Sequence, residues 1–107
     1  GSPIPPGEQS SARLVAQSGT VFVLSEGANS FGRRPSNRYI LEDDSFVSGA
    51  HAVIEQEKGR CYLIDLNSTN GTRLNDRRIA PGQREPLSEG DEVIFGQTPL
   101  TFHVIGE

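Results

Sequence analysis

Short apolar or alternating runs, separated by glycine-containing turns, recur from Ala12 to the end of this chain, and nothing in the pattern supports a long amphipathic helix. Ala12 to Ala16 and Val21 to Leu24 flank Gln17-Ser18-Gly19, while Ala52 to Gln56 and Cys61 to Asp65 flank Glu57-Lys58-Gly59. The last run, Leu100-Thr101-Phe102-His103-Val104, alternates, which predicts Leu100, Phe102 and Val104 toward a core and Thr101 and His103 toward water. Asp91 to Phe95 pairs with it across Gly96-Gln97-Thr98-Pro99. Together with Arg33, Tyr39 to Leu41, Thr72 to Leu74 and Arg77 to Ile79, these runs predict about ten or eleven short strands. Many short strands joined by turns must bury one face against a second sheet, so the expected fold class is all-β, an antiparallel sandwich or barrel.

A chain of 107 residues fits one such domain and buries a core without staples. The first eleven residues, Gly1 to Ser11, contain three prolines, two glycines and three serines with Ile4 as the only aliphatic side chain, and read as a flexible tail or linker. Gly1-Ser2 reads as a cloning remnant, which leaves residues 12–107 as the domain, excised from a larger parent. A formal net charge of -4 offers no global basic field, which argues against a nucleic-acid partner. No segment approaches the roughly 18 apolar residues of a membrane span. No apolar stretch follows a basic start, as a signal peptide requires. The lone Cys61 cannot form an internal disulfide and sits in an apolar run, so a buried thiol in a cytoplasmic or otherwise intracellular protein is expected. The sequons at Asn67 and Asn70 would matter only in a secreted protein. There is no Walker loop, no dinucleotide fingerprint and no metal-ligand spacing around His51, Cys61 or His103, so neither an enzyme nor a cofactor or metal is expected.

In a sandwich, binding groups collect on loops at one end. Ser68-Thr69-Asn70-Gly71 carries two hydroxyls, an amide and a glycine in four positions, and Asn70-Gly71 predicts a two-residue type I′ hairpin with surplus hydrogen-bonding groups beside it. Phe31-Gly32-Arg33-Arg34-Pro35-Ser36-Asn37 places two guanidinium groups on or beside a loop, and Val47-Ser48-Gly49-Ala50-His51 is a small-residue loop leading into a strand. A fixed positive fork, hydroxyl donors, an amide and free backbone N–H groups make an inventory for a phosphate.

Gly32-Arg33, then Ser48-Gly49-Ala50-His51, then Ser68-Thr69-Asn70-Gly71-Thr72 occur in the order and spacing of the forkhead-associated domain, which the chain resembles from about Leu14 to Ile105. Leu41, Asp43-Asp44, Asp65-Leu66, Asn75 and Leu87 to Asp91 support the likeness. The resemblance implies an eleven-stranded antiparallel β-sandwich with its binding loops at one end, and binding of phosphothreonine-containing proteins or peptides in signalling. Carried over position by position, it implies that Arg33, Ser48 and Thr69 bind phosphate, that Asn70 holds the peptide backbone, and that Gly32, His51 and Gly71 support the site, while the Gly49 backbone N–H, with no side chain beside it, is a further expected contact to the peptide. Phe46, just ahead of the serine loop, is implied in selecting the side chain three residues beyond the phosphothreonine. Arg34 and Arg38 match no family role and read as surface charges.

Gly49 departs from the family, which often has arginine or asparagine there helping to hold ligand, and one charge-assisted hydrogen bond is worth about 1.5 to 3 kcal/mol. That departure keeps open an alternative, a phosphate-independent interaction or dimerisation module on the same fold. Ser48 and His51 with Asp65 invite comparison with a hydrolytic triad, but no nucleophile elbow or oxyanion-hole motif accompanies them, and the isolated domain is expected to be a monomer without catalytic residues.

Overall fold

The computed structural model describes residues 12–104. The tail predicted for Gly1 to Ser11 lies outside the described residues, as do residues 105–107. Eleven strands follow in chain order: β1 (Ala12–Ala16), β2 (Val21–Val23), β3 (Gly27–Gly32), β4 (Tyr39–Ile40), β5 (Ala52–Glu57), β6 (Arg60–Asp65), β7 (Thr72–Leu74), β8 (Arg77–Arg78), β9 (Glu85–Pro86), β10 (Glu92–Phe95) and β11 (Thr98–Val104). They form a six-stranded sheet in the order β2-β1-β11-β10-β7-β8 and a five-stranded sheet in the order β4-β3-β5-β6-β9. All pairings are antiparallel except β3 with β4, which is parallel.

The two-residue side-chain period builds the core. Ile54 on β5 and Cys61 and Leu63 on β6 point inward from one sheet, and Leu14, Val93, Phe95, Leu100 and Phe102 meet them from the other. Phe31 joins the sheets, its ring 5.1 Å from Phe95 and 4.9 Å from Tyr39. Val104, expected toward the core, is instead 47% exposed, because it sits at the end of the described strand, past the residues the opposing sheet covers.

Two local expectations are corrected. The strand expected at Arg33 ends one residue earlier, and most of it lies in Gly27–Gly32. Asn70-Gly71 is not a type I′ hairpin: Gly71 has a positive φ of 84° but Asn70 does not, and the flanking β6 and β7 belong to different sheets. The segment 66–71 is therefore a crossover loop. Positive φ at both central residues, the requirement of the type I′ turn, is met at Lys58-Gly59 (51° and 81°) between β5 and β6, and at Asn75-Asp76 (51° and 70°) between β7 and β8.

Candidate functional site

The three polar loops singled out in the sequence meet. Beyond β3 the chain runs against the serine loop: Arg33 N–H donates to Ser48 O at 3.0 Å, Arg34 N–H to Gly49 O at 3.1 Å, and His51 N–H to Phe31 O at 2.9 Å. This close approach requires Gly32, since a Cβ there would sit 2.2 Å from Gly49 O and 2.7 Å from Asn37 Nδ2. Asn37 then closes the arginine loop, donating through Nδ2 to Arg34 O at 2.9 Å and to Gly49 O at 2.6 Å.

His51 joins the serine loop to the crossover loop. Its ring is fully buried, with Nδ1 accepting the Ser48 N–H at 3.0 Å and Nε2 lying 3.0 Å from Gly71 O. An Nδ1 that accepts is unprotonated, so the proton is on Nε2 and is donated to the Gly71 carbonyl. Burial pushes the His51 pKa down, against opposing contributions from the Gly71 hydrogen bond and the charges of Asp65 and Asp44, and the neutral ring is the form this geometry needs. Neither ring nitrogen is directed at the Ser48 hydroxyl, so the contact a Ser–His nucleophile pair requires is not made.

The loops touch directly as well. Ser48 Oγ accepts the Thr69 N–H at 2.9 Å, which turns its own hydroxyl proton away from Thr69 and frees it for donation. Asn70 Nδ2 donates to Phe46 O at 2.9 Å, fixing the amide while its Oδ1 has no partner among the described residues. Ser68, by contrast, is buried, and its N–H (3.1 Å) and hydroxyl (2.5 Å) both bind the Asp65 carboxylate, which also accepts Thr72 Oγ1 at 2.7 Å. Burial raises the Asp65 pKa, but these hydrogen-bond donors outweigh it and hold the carboxyl below the usual range. On the other side of the site Asp44 accepts from Phe46 N–H at 2.9 Å, and from Gln97 N–H and Thr98 Oγ1 at 2.7 Å each, tying the loop before Ser48 to the β10–β11 turn.

Arg33, Thr69 and Asn70 are exposed, Ser48 and Gly49 are half-buried, and Gly32, His51 and Gly71 are buried beneath them. Among the described residues, no carboxylate pairs with the Arg33 or Arg34 guanidinium. The arrangement is a preassembled, unneutralised donor surface on a buried hydrogen-bonded base. Asn37 and Asp44 are noted in the sequence but given no role there, and the structure makes both of them ties between loops. The signal for Asn37 was its place after Pro35-Ser36, where asparagine closes turns through its side chain.

Comparison with known proteins bears on this surface. The family model described as FHA domain matches residues 29–96, which takes in all three loops. The chain is 36% identical over 103 residues to the glycogen accumulation regulator GarA of Mycobacterium tuberculosis, covering 92% of this chain and 59% of that protein. It is 37% identical over 84 residues to an oxoglutarate dehydrogenase inhibitor of Corynebacterium diphtheriae, covering 78% of this chain and 56% of that protein. The chain thus spans little more than half the length of these two curated relatives. Among solved structures, one from work on phosphothreonine-dependent FHA domain interactions superposes with a TM-score of 0.82 at 31% identity, covering 91% of this chain and 99% of that one. The N-terminal FHA domain of Rad53p from S. cerevisiae, solved with a phosphothreonine peptide, superposes with a TM-score of 0.80 at 26% identity, covering 89% of this chain and 94% of that one.

Proposed function

This chain belongs to the forkhead-associated (FHA) domain family, and from that membership we propose that it is a phosphothreonine-dependent protein-binding module that recognises phosphorylated segments of signalling partners. The observation that supports the reading is that Arg33 and Thr69 both donate their backbone N–H to Ser48, one to its carbonyl and the other to its hydroxyl oxygen, while His51 holds the Ser48 N–H and the Gly71 carbonyl. A phosphoryl group brings about -1.5 to -2 charges and three acceptor oxygens. The Arg33 guanidinium supplies a permanent charge and a planar donor fork, the Ser48 hydroxyl a proton not used in its contact with Thr69, and Thr69 a hydroxyl with no partner among the described residues. An unmodified threonine offers no charge to satisfy these donors, so phosphorylation switches the contact on.

Asn70, its amide fixed on Phe46 O, presents Oδ1 to a peptide N–H, and the Gly49 N–H has no acceptor among the described residues. Phe46, 44% exposed beside Asn70, provides an apolar contact for the side chain three residues beyond the phosphothreonine. In this reading the domain is not an enzyme: His51 is committed through both ring nitrogens to holding loops. The reading implies an intracellular setting, where phosphothreonine is made. No helix among the described residues is long and apolar enough to cross a membrane.

Calorimetric titration with a degenerate phosphothreonine peptide library tests the site. Arg33→Ala is expected to weaken binding at least tenfold, about 1.4 kcal/mol, at unchanged thermal stability. Equal affinity in the variant would remove Arg33 from the phosphate site.

A further inference from the structure

Gly49 follows the serine whose hydroxyl faces the site, and it brings no side chain of its own; Arg34 occupies the space where one would be. A Cβ built on Gly49 would come within 2.7 Å of Arg34 Nε, 3.0 Å of its Cγ and 3.1 Å of its Cδ, so the arginine stem lies across the glycine. Gly49 needs no positive φ, so its lack of a side chain here serves space. The Arg34 backbone is fixed by hydrogen bonds: its N–H donates to Gly49 O at 3.1 Å, and its carbonyl accepts Asn37 N–H at 3.0 Å and Asn37 Nδ2 at 2.9 Å. Among the described residues the guanidinium has neither a carboxylate nor a hydrogen-bond acceptor.

We propose that Arg34, laid over Gly49, is a second phosphate-binding residue, so that consecutive guanidinium groups from one loop grip the phosphothreonine together. The inference rests on the phosphothreonine reading and adds a residue to its site. The charge arithmetic favours it: a dianionic phosphoryl group leaves about one charge unmet by Arg33 alone, and a guanidinium presents a planar donor fork that matches phosphate oxygens. Arg34 thereby supplies, from the β3–β4 loop, the charged contact that the residue after Ser48 does not provide. The glycine and the arginine form one unit, because a side chain at residue 49 and the stem of Arg34 compete for the same space.

The test uses Arg34→Gln, which keeps a polar stem over Gly49 without the charge, and the double variant Arg34→Ala with Gly49→Arg, which moves a guanidinium to the other loop of the same contact. With a degenerate phosphothreonine peptide library, Arg34→Gln is expected to bind at least fivefold more weakly at unchanged melting temperature, and the double variant to regain most of the loss. Binding of Arg34→Gln within twofold of the parent protein overturns the proposal, as does a loss that the double variant does not recover, which would make Arg34 a shaper of the loop only. If the parent protein binds unmodified library as well as phosphorylated, the phosphothreonine reading itself fails. If the parent is phospho-specific and Arg33-dependent while Arg34→Gln is neutral, only the role of Arg34 fails.

Discussion

Replacing His51 by alanine is the sharpest perturbation of the base beneath the loops. The ring is fully buried, and its removal orphans the Ser48 N–H and the Gly71 carbonyl at once. Each buried group left unpaired costs about 1–3 kcal/mol, so the two together cost about 2–6 kcal/mol. Lost edge contact with Phe95, 5.6 Å away between ring centroids, adds to this, while a water entering the cavity offsets part of it. We therefore expect a loss of at least about 3 kcal/mol, a large share of the roughly 5–15 kcal/mol that stabilises a domain. At about 4–8 °C per kcal/mol for a domain of this size, the melting temperature should fall by more than about 10 °C. Urea unfolding followed by circular dichroism measures the loss directly, provided the slope with denaturant is unchanged. The same ring sets a pH dependence. Because the folded pKa lies below the ordinary 6.5, the unfolded chain takes up the proton first, and stability present above that value is lost as pH falls below it. His51→Ala should abolish this step. A loss under about 1 kcal/mol, or a parent protein equally stable on either side of that window, would refute the role given to the ring.

Three further outcomes follow from the geometry. Gly32→Ala drives a methyl group to 2.2 Å from the Gly49 carbonyl, a backbone atom, and should destabilise by about 1–3 kcal/mol in urea unfolding while weakening phosphopeptide binding through displaced loops. Asp65 and Asp44 have folded pKa values held below 3.8 by their hydrogen bonds, so a second loss of stability should begin as pH falls below that value; Asp65→Asn should reduce it, and an unchanged acid limb would contradict the assignment. Burial pushes the Cys61 thiol up to about 11, so native protein at pH 8 should resist iodoacetamide until denaturant is added, and rapid labelling of folded protein would contradict its placement in the core.

Much of this was legible in the residues, for identifiable reasons. The alternation of β11 survives in the sequence because one of its faces lies in the core, and Leu100 and Phe102 lie where their parity predicts, whereas β5 and β6 are legible only as short apolar runs beside a glycine turn. β3 was hidden because Gly27, Ala28, Asn29 and Ser30 have loop composition. Asn29 belongs there because its amide bonds the Ser25, Gly27 and Ile54 carbonyls and accepts the Ser25 N–H, which makes a polar residue tolerable at a fully buried strand position. Asn70-Gly71 misled because turn propensity is local, whereas the exchange of sheets between β6 and β7 is a tertiary decision. The same limit applies to the site. Arg33, Ser48, His51 and Thr69 carry a recognisable pattern along the chain, but the packing of Arg34 over Gly49 joins residues fifteen positions apart and has no sequence signal of its own.

In the proposed reading, the donors of Arg33, Ser48 and Thr69 are satisfied together only by a phosphoryl group. Calorimetry of the unaltered protein against matched libraries carrying phosphothreonine, phosphoserine, phosphotyrosine or unmodified threonine tests it most directly. Measurable binding to the phosphothreonine library alone is the predicted result; equal binding to unmodified peptides would contradict the account.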